Sequence, residues 1–170
     1  MDEIWDIYDE NRNLTGKTVK RSEFQIRPNE YHIVVHIWIK NDKGEWLISK
    51  RTPNKHCPLL WECTGGSALA GEDSLTAALR EVKEELGVTL NESKGILYKT
   101  YKRSIYSDFC DVWLFNHNCS IKDVVLQPEE TCDAMWATVD EIQELINNDE
   151  FIPLDNLKYV YTLLGIREEQ

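Results

Sequence analysis

The strongest constraint on the fold is an amphipathic segment near the middle of the chain, where residues 66–88 read GSALAGEDSLTAALREVKEELGV. Four apolar side chains of this segment share a narrow stripe at about 100° per residue, and such a stripe must face a core. They are Leu75, Leu79, Val82 and Leu86. Asp73 is expected to cap the start of the helix, and Gly87 to end it. The spacing therefore predicts a helix over residues 73–86.

Three glutamates lie on another arc of this helix, at Glu81, Glu84 and Glu85, with the small residues Ala77 and Ala78 on the same side. Glu81 and Glu85 are separated by one helical turn, a spacing at which like charges repel. On a partly closed surface such a cluster calls for cations. Mg²⁺ and Mn²⁺ suit it because they take oxygen ligands and keep positions open for substrate phosphates. The ordinary alternative is a set of solvent-facing glutamates.

Two further residues of the segment have expected roles near these carboxylates. Arg80 lies one turn before Glu84, where it can pair with that carboxylate and fix its rotamer. Gly66 has no side chain, so its carbonyl oxygen can approach a metal ion directly. Both expectations follow from position along the chain alone.

The same segment matches the defining sequence box of the Nudix hydrolases. Gly66 is followed after five residues by Glu72 and, after seven more, by Arg80-Glu81-Val82, Glu84-Glu85 and Gly87-Val88. The chain resembles that family over roughly residues 30–150. The resemblance implies Mg²⁺-dependent cleavage of a diphosphate linkage, with Mn²⁺ as an alternative ion. It also implies that Glu81, Glu84 and Glu85, helped by the Gly66 carbonyl, hold the metal, and that Arg80 belongs to the catalytic set.

The order of strands and helices predicts an α/β fold, and the resemblance makes it a Nudix-type α/β/α sandwich with a mixed β-sheet. An N-terminal β-hairpin is predicted from strands at 4–8 and 17–21 around a turn-rich segment. Further strands are expected at 31–40, 45–51, 96–105, 109–116 and 134–139, the first two forming a hairpin, and helices at 140–147 and 156–165. We expect one domain, with a hairpin extension at 1–28, a core at 29–150 and a C-terminal helix at 151–170.

Composition limits the partners. The chain has 170 residues, a formal net charge of −11 and a pI near 4.8. Nucleic acids and anionic membranes reward basic patches, so neither is expected as a main partner. Five cysteines without CxxC spacing, an acidic start instead of a signal peptide and no long apolar run predict a reduced, cytoplasmic protein. A small-molecule diphosphate is the expected partner, and the hairpin is a candidate homodimer element.

Residues outside the box are candidates for holding phosphate or moving a proton. Lys50, Arg51 and Lys55 precede the box helix and are placed to reach substrate phosphates, or else form a solvated basic loop. Many Nudix enzymes carry a glutamate that binds metal or acts as general base in a loop corresponding to the one holding Glu129 and Glu130. The alternative for this pair is surface acids that cap a turn.

His32 and His36 point to the same face of a predicted strand. Two such histidines can bind a transition metal, but histidines satisfied by hydrogen bonds within a sheet are commoner, and we expect this of His36. Whether His32 contacts a ligand is left open. Tyr106 is similar in placement to a tyrosine of diadenosine polyphosphate hydrolases, so it too is a candidate ligand contact.

Residues 32–66 also resemble type I isopentenyl-diphosphate isomerases. Those enzymes use a histidine at the His32 position in a metal site and basic residues at positions like Arg51 and Lys55 to hold diphosphate. Their catalytic cysteine aligns with Gly66, and Cys63 lies three residues away. The chain thus resembles the branch that looks like these isomerases but keeps an intact hydrolase box. Isomerase activity and a non-enzymatic nucleotide-binding module are the alternatives, and the diphosphate substrate itself stays open.

Overall fold

Nine β-strands and three α-helices make up the structure, a computed structural model that describes residues 2–153 and 158–166. The strands are β1 Ile4–Tyr8, β2 Leu14–Lys20, β3 His32–Lys40, β4 Trp46–Arg51, β5 Trp61–Glu62, β6 Thr64–Ser67, β7 Ile96–Arg103, β8 Asp108–Asn116 and β9 Thr131–Ala137. The helices are α1 Ser74–Leu86, α2 Val139–Asn147 and α3 Tyr159–Leu164.

The main sheet is mixed, with strand order β5-β4-β3-β8-β7, β6 paired with β3 and β9 paired with β4. Strands β3 and β8 run parallel along their whole length, and the other pairs are antiparallel. The predicted β3–β4 hairpin pairs only through Ile39–Leu47 and Lys40–Trp46. The rest of that edge of β3 pairs with β6, a strand that the sequence pattern did not predict.

Helices cover both faces of the sheet. One apolar cluster joins α1 to the face of β3 that carries Val35 and Ile37. The other joins α2 and α3 to the face that carries Trp38 and Ile48. The predicted α/β sandwich with a mixed sheet is therefore confirmed.

The buried side of helix α1 differs from the one that its leucine stripe predicts. Asp73 caps it by accepting a hydrogen bond from the Thr76 backbone at 2.7 Å, and Gly87 ends it with a φ of 68°, as expected. The side that faces the sheet consists of Ala77, Ala78, Glu81, Val82, Glu85 and Leu86, all buried. Leu75 and Leu79 are only partly buried. The predicted position of the glutamates away from the core is therefore wrong for Glu81 and Glu85, which share the buried side with the two small alanines.

The N-terminal hairpin is formed by β1 and β2, which pair antiparallel as predicted. Backbone-to-backbone hydrogen bonds fix it to the core at two places. Tyr8 and Tyr31 exchange backbone hydrogen bonds of 2.8 and 2.9 Å, and the Ala70 amide donates to the Ile4 carbonyl at 2.7 Å. The second contact ties the hairpin to the loop just before α1.

An ion pair also joins the hairpin turn to the sheet. Arg12 donates two hydrogen bonds to Asp111, one of them 2.7 Å long, and only 1% of the Asp111 side chain is exposed. Burial alone would raise the pKa of Asp111, but hydrogen bonds from Arg12, Ser74 and Thr100 outweigh it and hold the pKa below its usual value. The carboxylate is therefore kept charged by its donors.

Replacing Arg12 with methionine is expected to lower the free energy of unfolding by about 3 kcal/mol, because it leaves a buried carboxylate without its charged partner. Urea unfolding at pH 7 measures the change. Lys20→Met is the matched control, since Lys20 and Glu23 form an exposed pair at 3.3 Å, which should contribute less than about 1 kcal/mol. Equal effects of the two substitutions would contradict this role for Arg12.

Of the predicted C-terminal helix, residues 156 and 157 lie outside the described residues, and α3 begins at Tyr159. Gly165 follows it with a φ of 68°. All five cysteines are free thiols. Within residues 2–153 and 158–166, no helix has the length and apolar character needed to cross a membrane.

Candidate functional site

Two of the three glutamates of α1 are buried where the helix crosses β6. Glu81 is 9% exposed and Glu85 4%, whereas half of the Glu84 side chain is exposed. The Glu81 carboxyl group lies directly against Gly66, since a Cβ atom added to that glycine would be 2.2 Å from the carboxyl carbon. Glycine at this position is thus what lets the carboxylate approach the strand.

Burial makes the charged forms of these two carboxyl groups unfavourable. It raises the pKa of Glu81 to about 7, although the charge of Arg80 opposes the change. It raises the pKa of Glu85 to about 8, where Lys55 opposes the change and the other acids, Glu81, Glu62 and Glu130, add to it. A bound cation would relieve both groups, because an adjacent positive charge favours the ionised form.

Arg80 is the centre of a network that holds the glutamates in place. It donates to Glu72 at 2.8 and 3.0 Å, to Glu81 at 3.0 Å and to Glu84 at 3.1 Å, and also to the Ser67 carbonyl at 3.0 Å. Partial burial would lower the pKa of Arg80, but these carboxylates raise it above its ordinary value. The expected Arg80–Glu84 contact is present, and Glu72 and Ser67 fix the guanidinium from the other side.

The residues proposed to bind phosphate fall into two groups. Lys55 forms an ion pair with Glu130, and Arg51 forms one with Glu62 at 2.7 Å. Both pairs lie near Glu85, as the influence of Lys55, Glu130 and Glu62 on its pKa shows. The Lys50 ammonium instead lies 5.5 Å from the centre of the Trp61 ring.

The structure separates the two downstream glutamates and adds a residue that sequence reasoning had not assigned to the site. Glu130 is in the ion pair with Lys55, whereas Glu129 is anchored through its backbone carbonyl, which accepts a hydrogen bond from the Thr52 hydroxyl at 3.2 Å. The addition is Glu62, a largely buried acid whose pKa is raised by burial. In the sequence, its position in the Trp61–Gly66 segment just before the box could have indicated that it belongs to the site.

The two histidines of β3 differ in their partners. His36 shares a 2.7 Å hydrogen bond between its Nδ1 and the Tyr159 hydroxyl, as expected for a histidine satisfied within the fold. His32 is stacked on Trp5, and its Nδ1 has no hydrogen-bond partner among the described residues. Burial lowers the pKa of His32 to about 4 and that of His36 to about 3, so both are neutral at pH 7.

The donor set suits a hard divalent cation in its chemistry. Carboxylate oxygens at Glu81, Glu84 and Glu85 and a carbonyl at Gly66 are the ligand types that Mg²⁺ and Mn²⁺ take. As the side chains of the described residues are placed, no three acidic, histidine or cysteine groups are arranged to hold an ion. Glu81 and Glu84 each accept a hydrogen bond from Arg80 through one carboxylate oxygen, so an ion would be bound through the other oxygen of each group.

Comparison with known proteins agrees with the fold and the box. The Nudix domain family matches residues 30–155. An uncharacterized Nudix hydrolase of Listeria monocytogenes is 41% identical over 163 residues, which cover 95% of each chain. Isopentenyl-diphosphate Delta-isomerase 1 of Photorhabdus laumondii is 25% identical over 155 residues, 85% of this chain and 84% of the isomerase.

Among solved structures, the DR0079 protein of Deinococcus radiodurans superposes with a TM-score of 0.75 at 21% identity, covering 94% of this chain and 98% of that one. The likeness shows the same fold. Taken with the sequence matches, the architecture and the carboxylate helix define a Nudix enzyme. The chain belongs to the Nudix hydrolase family, and the isomerase is among its more distant relatives.

Proposed function

We propose that this chain is a divalent-metal-dependent hydrolase that cleaves a diphosphate linkage in a nucleoside diphosphate derivative or a related organic diphosphate. The observation that carries the proposal is the pair of buried carboxyl groups at Glu81 and Glu85, whose pKa values are raised by burial, with the Glu81 group lying against Gly66. Such burial is costly for a structural role alone, because a buried charge needs a partner. A cation bound between enzyme and diphosphate supplies one.

Glu81, Glu84 and Glu85, with the Gly66 carbonyl, are the proposed ligands of Mg²⁺, or of Mn²⁺ in its place. When bound, such an ion polarises phosphoryl oxygens and lowers the pKa of water at the site. Arg80 positions Glu81 and Glu84 through its hydrogen bonds and is itself held by Glu72. Its role is to orient these carboxylates.

The remaining charged residues are assigned to substrate binding and to proton transfer. Lys55 and Arg51 are proposed to hold phosphate oxygens, with Lys50 as an outer contact. A glutamate accepts a proton from the attacking water while the water oxygen bonds to phosphorus and the bridging P–O bond breaks. Glu84, Glu129 and Glu130 are the candidates, and the Lys55–Glu130 pair beside Glu85 favours Glu130 over Glu129.

The isomerase alternative has the relationship to the Photorhabdus enzyme in its favour. Its catalytic cysteine, however, would occupy position 66, which is glycine. Cys63 belongs to the apolar cluster on the face of the sheet opposite α1, and burial raises its pKa well above the ordinary value. A buried, protonated thiol on the wrong face cannot replace that cysteine. We therefore rank hydrolysis above isomerisation. The proposed setting is the cytoplasm and the proposed substrate is a small molecule. The N-terminal hairpin is a candidate dimer surface.

The direct test is a panel of diphosphates incubated with the enzyme and excess Mg²⁺, with release of phosphate and monophosphates measured. The panel holds nucleoside di- and triphosphates, ADP-ribose, diadenosine polyphosphates, nucleotide sugars and isopentenyl diphosphate. We expect cleavage of at least one nucleoside-containing member, lost with excess EDTA. Conversion of isopentenyl diphosphate to its allylic isomer, without cleavage of any member, would show that the isomerase is the correct assignment. No turnover anywhere would favour the binding module.

A further inference from the structure

Two hydroxyl groups of the main sheet, those of Ser49 and Thr64, are buried without a hydrogen bond. Ser49 is 0% exposed and Thr64 is 1% exposed. Neither hydroxyl oxygen has a hydrogen-bond partner among the described residues. Burial of an unpaired hydroxyl group is costly, so both groups require an explanation.

Strand register places both hydroxyl groups on the face of the sheet that α1 covers. Thr64 pairs with Ile37, and Ser49 follows Leu47 by two residues on β4. Ile37 and Leu47 both belong to the apolar cluster that includes α1. Directly paired residues of adjacent strands, and residues two apart along one strand, carry their side chains on the same face. Ser49 and Thr64 therefore point towards the helix.

The path of α1 over β6 locates Glu85 relative to these strands. Arg80 donates to the carbonyl of the last residue of β6 at 3.0 Å, and the Glu81 carboxyl group lies against Gly66, the residue before it. The helix thus runs back along the strand. Four helical residues advance about 6 Å and two strand residues span about 6.6 Å. Glu85, four residues after Glu81, therefore lies over Thr64, two residues before Gly66.

The neighbouring strands place Ser49 at the same point. The Thr131 hydroxyl of β9 donates to the backbone carbonyl of Glu85 at 3.2 Å. Ser49 lies on β4, between β9 on one side and Glu62 of β5 on the other. Glu62 is close enough for its charge to act on the Glu85 carboxyl group. Ser49 and Thr64 thus line the sheet side of the space that receives the Glu85 side chain.

The other carboxyl groups nearby already accept hydrogen bonds. Both oxygens of Glu62 accept from Arg51, at 2.7 and 2.8 Å, and Glu81 accepts from Arg80 at 3.0 Å. The remaining buried carboxyl group of this region is Glu85, which is 4% exposed. It is therefore the acceptor that the two hydroxyl groups are placed to serve.

A role in packing alone does not explain the two hydroxyl groups. The rest of the layer is built from apolar side chains such as Val35, Ala78 and Val82. A valine and an alanine would fill nearly the same space as Thr64 and Ser49 without burying an unpaired hydroxyl group. Carboxylates that bind a metal ion, in contrast, are commonly held by hydrogen bonds from neighbouring groups, which fix their orientation.

We propose that Ser49 and Thr64 are positioning residues for Glu85, and that they hold its carboxylate by hydrogen bonds, direct or through one water molecule, when a divalent cation is bound. The inference rests on the proposed function for the role of Glu85 as a metal ligand. Both residues lie outside the sequence box.

The test separates hydrogen bonding from packing at Thr64. Thr64→Val removes the hydroxyl group at nearly constant volume, so Mn²⁺ should bind about tenfold more weakly, as the electron paramagnetic resonance signal of the free ion measures. The urea midpoint of the metal-free protein should stay the same or rise, because an unpaired hydroxyl group is removed. Thr64→Ser keeps the hydroxyl group and deletes a methyl group. It should bind Mn²⁺ within about twofold of wild type and unfold at a lower urea concentration.

Two further variants complete the series. Ser49→Ala should weaken Mn²⁺ binding in the same way as Thr64→Val, and it decides the question if Thr64→Val fails to fold. Thr18→Val is the matched control, since Thr18 is an exposed residue of β2 in the N-terminal hairpin. This control should change neither the Mn²⁺ affinity nor the urea midpoint.

The outcomes are distinguishable from a failure of the proposed function. Wild-type Mn²⁺ affinity in folded Thr64→Val and Ser49→Ala would overturn the inference, even if diphosphates are cleaved and Glu85→Gln binds Mn²⁺ weakly. A loss of Mn²⁺ affinity that parallels a loss of stability in every variant, Thr64→Ser included, would overturn it too, because it would show a structural role. Wild type that neither binds Mn²⁺ nor cleaves any diphosphate would reject the proposed function and the inference together.

Discussion

Glu84→Gln is expected to lower kcat/KM for the diphosphate identified in the panel by about a thousandfold, which corresponds to several kcal/mol of lost transition-state stabilisation. Glutamine keeps the size of the side chain but removes the charge that would bind metal or accept a proton. The fold should be unaffected, because half of the Glu84 side chain is exposed and its contact with Arg80 is at the surface.

The matched control for this prediction is Glu144→Gln. Glu144 is an exposed glutamate on α2, on the opposite face of the sheet from the box helix. Its replacement should leave the rate within about twofold of wild type. Near-normal activity of Glu84→Gln, with both variants folded to the same extent by circular dichroism, would remove Glu84 from the catalytic set.

Glu85→Gln is expected to have opposite effects on activity and on the stability of the metal-free protein. Burial raises the pKa of Glu85 from 4.5 in the unfolded chain to about 8 in the fold. Between these values the folded protein holds a proton that the unfolded chain has lost. The contribution of the Glu85 carboxyl group to the free energy of unfolding is fully present below about pH 4.5 and is lost as the pH rises through about 8.

The expected difference is large enough to measure. From pH 6.5 to 8.5 the metal-free wild type should lose about 2 kcal/mol more unfolding free energy than Glu85→Gln, whose side chain cannot ionise. Urea unfolding in EDTA at both pH values measures the difference. His32 and His36, whose pKa values are lowered to about 4 and 3, act in the other direction only below about pH 6.5. Parallel pH profiles of wild type and variant would contradict the buried-acid account of Glu85.

At pH 8.5, added Mg²⁺ should make wild type more stable than Glu85→Gln, the reverse of the order expected for the metal-free proteins. A ligand that binds only the folded state stabilises it by mass action, and the ion favours ionised Glu85. Wild type should therefore gain stability with added Mg²⁺, while Glu85→Gln gains little and has lost its hydrolytic activity. The carboxyl group would thus weaken the metal-free fold because it serves the metal-bound one.

The local features of the fold were predictable from the sequence. Helix α1, its Asp73 cap, its Gly87 stop and the N-terminal hairpin depend on residues close together in the chain. The depth of Glu81 was not predictable, because it depends on Gly66 and on β6 pairing with β3, a contact across about 30 residues of chain. The apolar stripe alone placed the glutamates away from the core, which is wrong for Glu81 and Glu85.

The candidate site shows the same limit. Arg80 and Glu84 are one turn apart, so their contact followed from helix geometry. The positions of Glu62 and Glu130 beside Glu85 depend on how three separate segments meet, which no spacing in the sequence specifies. The stack of Trp5 on His32 joins an N-terminal strand to the central sheet and is equally invisible to periodicity.

Mn²⁺ binding at pH 8, followed by the electron paramagnetic resonance signal of the free ion, tests directly whether Glu85 holds a metal ion. Wild type, Glu85→Gln and Glu144→Gln are titrated side by side. We expect Mn²⁺ to bind wild type and Glu144→Gln alike and to bind Glu85→Gln at least about tenfold more weakly, because a ligand is lost. Equal Mn²⁺ affinity of all three proteins would show that the buried glutamates of α1 do not hold the metal.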